Sequence, residues 1–171
     1  PNVVCTDYQN VTNGRQLLRA VKAEARLIIN GHDYNVGGLY GQKENAYLLP
    51  EQVDQMSAHA NDFQFVGYAI TPITPYLNWK TRFWMPPVKA ASGKKISFLY
   101  RAGAAELQGL EVRIDYELFD GIPLIIKSLS IEDKSANTFK INRVVNEILG
   151  MVEEESAVVG KPDDMKKNQG I

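Results

Sequence analysis

The chain has 171 residues, a length that fits one domain or two very small ones and allows a sizeable core without staples. With 44% hydrophobic residues, 23% charged residues and a net charge of −1, it carries no overall field that would draw nucleic acid or an anionic membrane. The single Cys5 excludes an internal disulfide and a multi-cysteine metal site, and no run approaches the roughly 18 apolar residues that span a bilayer.

In chain order, RQLLRA is rich in helix formers and fits a short helix before the first clear strand. In VKAEARLII, Val21, Ala23, Ala25, Leu27 and Ile29 fall on one side and Lys22, Glu24 and Arg26 on the other, a strand period. Asn30-Gly31 accepts positive φ at both centres of a tight hairpin turn, which makes HDYNV the return strand, and Gly37-Gly38 breaks the pairing. Tyr40 to Asp62 reads as a loop with an apolar patch at Ala46 to Leu49 and at most a few helical turns, begun by Pro50. Phe63 to Ile70 is a strand rich in aromatic and β-branched residues, and the prolines that bracket TPITPYLNWKTRFWMPP resist a long regular element.

Ile96 to Tyr100 is a short apolar strand, and a loop, RAGAAELQG, leads to the clearest unit of the chain. There Leu110, Val112, Ile114, Tyr116 and Leu118 share one face, expected in the core, while Glu111, Arg113, Asp115 and Glu117 share the other, expected in water. Asp120-Gly121 supplies the turn and Pro123 fixes φ just after it. From Phe139 to Val152 the apolar spacing fits a helical stripe, whereas the β-branched composition fits a strand. Glu153 to Glu155 and the tail beyond Gly160 read as solvated. Short strands, many turns and no βαβ alternation predict a mainly β protein, an antiparallel β-sandwich with at most short helices.

The phrase YELFDGIPLIIKSLSIED at Tyr116 to Asp133 resembles the DG-(I/L)-P hairpin in the N-terminal β-supersandwich domains of α-galactosidase-like glycoside hydrolases, the family thirty-six type. Looser matches follow in the expected order at Leu27 to Gln42, at Phe83 to Pro87 and at Val144 to Ser156. The resemblance implies a galactose-mutarotase-like supersandwich, strand rather than helix at Phe139 to Val152, and a secreted or periplasmic setting. It also implies a partner, a missing C-terminal catalytic barrel, which needs about 250 residues and does not fit in this chain. The start at Pro1 and the end at KPDDMKKNQGI agree with residues 1–171 being one excised domain. The expected function is then a non-catalytic scaffold within a carbohydrate-active protein, with carbohydrate as ligand, no cofactor and no catalytic residue of its own. The alternatives are a mutarotase-like epimerase and an interaction module without ligand.

Candidate site residues each compete with a plainer role. Asp115, Glu117 and Asp120 resemble a glycosidase carboxylate pair in type, but alternating charges are what a wet strand face normally carries. His32, Asp33, His59 and Asp62 are the residues from which a metal or acid/base site would have to be assembled, yet they lack HxH or HExxH spacing, so no metal site is expected. A mutarotase-like centre would pair His32 or His59 with Glu147. Between Asn78 and Arg101 lie Lys80, Arg82, Lys89, Lys94, Lys95 and Arg101 without any Asp or Glu, interleaved with Trp79, Phe83 and Trp84. Aromatic faces stack on sugar rings, which makes Trp79, Arg82, Phe83 and Trp84 the carbohydrate-binding candidates; the competing role is packing of the aromatic rings in a core. The neutral balance and the absence of an RNA-binding signature argue against nucleic acid. Cys5 has no base beside it and reads as an inert thiol.

Overall fold

The structure is a computed structural model that describes residues 2–42, 50–75, 84 and 91–151. Trp79, Lys80, Arg82, Phe83, Lys89, the patch Ala46 to Leu49, the proline pair Pro86-Pro87 and everything from Val152 onward lie outside the described residues. The strands are β1 Gln9–Asn10, β2 Arg15–Gln16, β3 Leu18–Ala20, β4 Ala25–Ile29, β5 His32–Val36, β6 Phe63–Pro72, β7 Gly93–Ala102, β8 Leu110–Phe119, β9 Ile125–Asp133, β10 Ile141–Val145 and β11 Gly150–Met151. One short helix, α1 Pro50–Val53, and a single 3-10 turn at Ala105–Leu107 complete the described elements. The protein is mainly β, a curled sheet of seven strands with small two-stranded sheets beside it, in a β-sandwich-like arrangement.

The seven strands run in the order β10-β4-β5-β6-β7-β8-β9, antiparallel throughout except where β5 meets β6 in parallel through the single pair Val36 and Phe63. That one-pair junction is the corner at which the sheet curls, so β4 and β5 fold their apolar sides over β6 to β8. Ala25, Leu27, Ile29, Tyr34 and Val36 thereby meet Phe63, Tyr100, Val112 and Ile114 in one buried cluster. The β4–β5 turn has the predicted chemistry, with φ of 52° at Asn30 and 85° at Gly31. At Gly38, with φ of 89°, an added Cβ would stand 3.0 Å from the Ala23 backbone, so only glycine fits.

Three expectations change. RQLLRA forms strand rather than helix, and the strand expected from Val21 begins at Ala25. On the expected wet face, Glu111 and Glu117 are buried, while Leu118 on the apolar face is 55% exposed. Glu111 is shielded by its own ion pairs: Lys134 at 2.7 Å and then Arg101 at 2.8 Å hold its carboxyl below the usual carboxylate range. The exposure of Leu118 follows from strand length. β6, β7 and β8 are each 10 residues long, whereas β4 and β5 have only 5 each, so one end of the apolar face extends past its cover. Finally, the stretch expected as strand from Phe139 to Val152, of which Val152 lies outside the described residues, forms two short strands rather than one: β10 pairs with β4 and β11 with β3.

Candidate functional site

On the apolar face, the register aligns Phe98, Ile114 and Leu129 in one row and Ile96, Tyr116 and Lys127 in the next. A lysine thus points into apolar surroundings. It is compensated by Glu24, which the alternation of VKAEARLII set on the side opposite Ala23 and Ala25 and which is buried. Lys127 Nζ donates to the Glu24 carbonyl at 2.6 Å, stands 3.4 Å from Glu24 Oε2 and 3.0 Å from Glu147 Oε2, and lies 5.2 Å from the centre of the Tyr116 ring. The Tyr116 hydroxyl donates to Glu24 Oε2.

A second group of polar residues forms an open cleft of about 610 Å³ beside the β4–β5 hairpin. Strand alternation sends the Tyr34 ring into the core, yet its hydroxyl reaches the cleft and donates to Glu106 Oε1 at 3.0 Å. Asp62, buried just ahead of β6, accepts the Asn35 backbone N–H at 2.9 Å through Oδ1 and the Tyr40 hydroxyl at 2.6 Å through Oδ2. The Asn35 amide also donates to the Tyr40 oxygen, and Arg26 Nε donates to Asn35 Oδ1 at 3.2 Å. Reciprocal backbone bonds with Ser57, 2.9 and 3.0 Å long, fix the backbone of Tyr40. The Tyr40 ring stands at 59° to that of His59, with centroids 5.9 Å apart, and the residue remains 44% exposed.

The electrostatics follow from this packing. Burial and then the bond to Asp62 push the Tyr40 hydroxyl up; burial and then Glu106 do the same for Tyr34. Glu106 is held low, first by a backbone N–H and then by the Tyr34 hydroxyl. Tyr100 and Tyr116 are pushed up further, mainly by burial and then by Glu24. All four phenols therefore keep their protons in the folded state above the ordinary value of 10.0, where the unfolded chain releases them. A raised folded pKa means stability that is complete below pH 10.0 and falls as pH rises beyond it. We expect the melting temperature to hold to about pH 10 and to drop between about pH 10 and about pH 12, with tyrosinate absorbance rising as the chain unfolds. A melting temperature that holds steady across that window would contradict the burial of these hydroxyls.

His32, Asp33, His59 and Asp62, scattered in sequence, all line this cleft. They do not form a metal centre: among the described residues no group of three or more His, Cys, Asp or Glu is arranged to hold an ion. Glu147 lines a different hollow, so the histidine–glutamate pair of a mutarotase-like centre is not assembled. Asp115 and Glu117 stay on the polar face of β8, with Arg113 Nε 3.4 Å from Asp115, and Asp120 accepts the Ser92 hydroxyl at 2.8 Å. Of the aromatic candidates only Trp84 is described, 65% exposed and outside the cleft; Trp79, Arg82 and Phe83 lie outside the described residues. Arg26, Asn35, Tyr40 and Glu106 were not signalled by sequence, because no spacing links four polar residues on separate segments.

Fold and cleft together define a mainly β chain with a preorganised polar site and no helix long and apolar enough to cross a membrane among the described residues. Comparison with protein-family models, with curated proteins and with solved structures finds no match.

Proposed function

We propose that the chain is a carbohydrate-binding, non-catalytic module of a larger carbohydrate-active protein, with the cleft around Tyr40 as its sugar site. The observation that carries this reading is the half-exposed Tyr40 ring, whose hydroxyl is clamped between Asp62 and Asn35. A sugar presents an apolar ring face and a circle of hydroxyls. A fixed aromatic face meets the first, and side chains already oriented by their neighbours meet the second with little further loss of freedom. Arg26, Asn35, His59 and Glu106 supply donors and acceptors around that ring. The Asp120-Gly121 hairpin that resembles the glycosidase-associated domains supports the same reading, as does the uncovered end of the apolar face, which suits a module that adjoins further protein.

The test is a titration of the folded chain with galactosides, glucosides and uronic acids, followed by amide shifts of residues around Tyr40. One of these classes should saturate, and Tyr40→Ala should weaken it about tenfold or more, the scale of a lost aromatic platform. Absence of saturable shifts, or equal binding by Tyr40→Ala, would remove the reading.

A further inference from the structure

We infer that the hollow between the uncovered end of the apolar face and the N-terminal segment is a binding site for an apolar organic cation, an ammonium group carried on a hydrocarbon body. The hollow holds about 440 Å³ and is walled chiefly by apolar side chains, among them Leu18, Phe98, Leu118, Ile125 and Leu149. Its volume lies in the range of small-molecule pockets, which combine apolar walls with a few convergent polar groups.

The charge along its lining selects the ligand. Glu24 and Glu147 face a single ammonium, that of Lys127, which donates to the Glu24 carbonyl and stands 3.4 Å from Glu24 Oε2 and 3.0 Å from Glu147 Oε2. One negative charge is left over, at the rim of the hollow where the Glu147 side chain is 42% exposed. Lys22 also lines the hollow, but among the described residues no ion pair joins it to Glu24 or Glu147, whose cation is Lys127. Burial first, and then the nearby charges of Glu24 and Glu147, push the Cys5 thiol and the Tyr116 hydroxyl up. The Tyr116 ring already carries one ammonium over its face, and the half-buried ring of Phe98 stands 6.2 Å from it on the same wall. An alkyl chain would fill the apolar volume while its ammonium head replaces the missing positive charge.

The experiment compares octyltrimethylammonium, octanol and octanoate, each below its micellar concentration, by the amide shifts they cause around Phe98, Ile125 and Leu149. The cation should saturate about tenfold more tightly than octanol, and octanoate should be weakest. Glu147→Gln, at a half-exposed position between strands, should reduce the preference for the cation severalfold without changing octanol binding. Should that variant fold poorly, Ile125→Lys places a positive charge at the exposed mouth and should lower the ratio of cation to octanol affinity severalfold. Octanol or octanoate binding as tightly as the cation, a preference unaltered by whichever of the two variants folds, or no saturation by any ligand would each overturn the proposal.

Discussion

Lys127→Met is expected to destabilise the chain by about 3–5 kcal/mol, the cost of leaving a buried charge without its partner. The side chains of Lys127 and Glu24 are only 8% and 7% exposed, so water cannot take over the role of the lost ammonium. Glu24 would retain the Tyr116 hydroxyl alone, in surroundings that penalise a carboxylate. The double variant Glu24→Gln with Lys127→Met removes both charges, and most of the lost stability should return, because two neutral groups of similar volume carry no such penalty. Urea unfolding with an unchanged denaturant slope measures both variants. A loss below about 1 kcal/mol for the single variant would mean that the pair behaves like a surface ion pair.

Gly103→Ala should cost about 3 kcal/mol, the upper end of over-packing penalties, and should also disable the cleft. A Cβ at position 103 would sit 2.0 Å from the Ala60 carbonyl oxygen and 2.6 Å from that of Asp62, both backbone atoms that cannot rotate away. The segment that carries His59 and Asp62 must therefore move. With it goes the Gly103 N–H bond to the Asp62 carbonyl, 3.0 Å long, that ties this segment to the end of β7. Since Asp62 orients both Asn35 and Tyr40, sugar binding should fall together with stability, whereas a substitution of equal thermodynamic cost in β9 should spare it. Stability lost with amide shifts around Tyr40 unchanged would separate the glycine from the site.

The two hairpins were legible because their signals are local. Asn30-Gly31 and Asp120-Gly121 specify turns whatever surrounds them, and the alternation of Leu110 to Leu118 specifies which residues share a face. Register then follows along each pair, and the resemblance of the second hairpin added strand at Phe139 to Val152 where periodicity pointed to helix. The rest was not local. Whether a face is wet depends on what lies over it, and the sequence of β8 does not contain Arg101, Lys134 or the short strands that leave Leu118 uncovered. Alternation likewise grouped Glu24 with the charged Lys22 and Arg26 and gave no sign of its burial, since that depends on a lysine 103 positions further along.

The candidate site divides in the same way. The histidines and aspartates at positions 32, 33, 59 and 62 were recognisable by chemical type as the residues from which any polar centre must come. That they share one cleft was decided by the parallel junction of β5 and β6, which folds the hairpin back beside the loop preceding Phe63. Sequence by itself determined the β class, the turns and the face patterns, because strand period and turn chemistry are properties of a few adjacent residues. Only tertiary structure decided the curl, the Glu24–Lys127 pair and the Asp62–Tyr40 clamp, because each depends on groups that meet through space and on water that is excluded only once the sheet has closed.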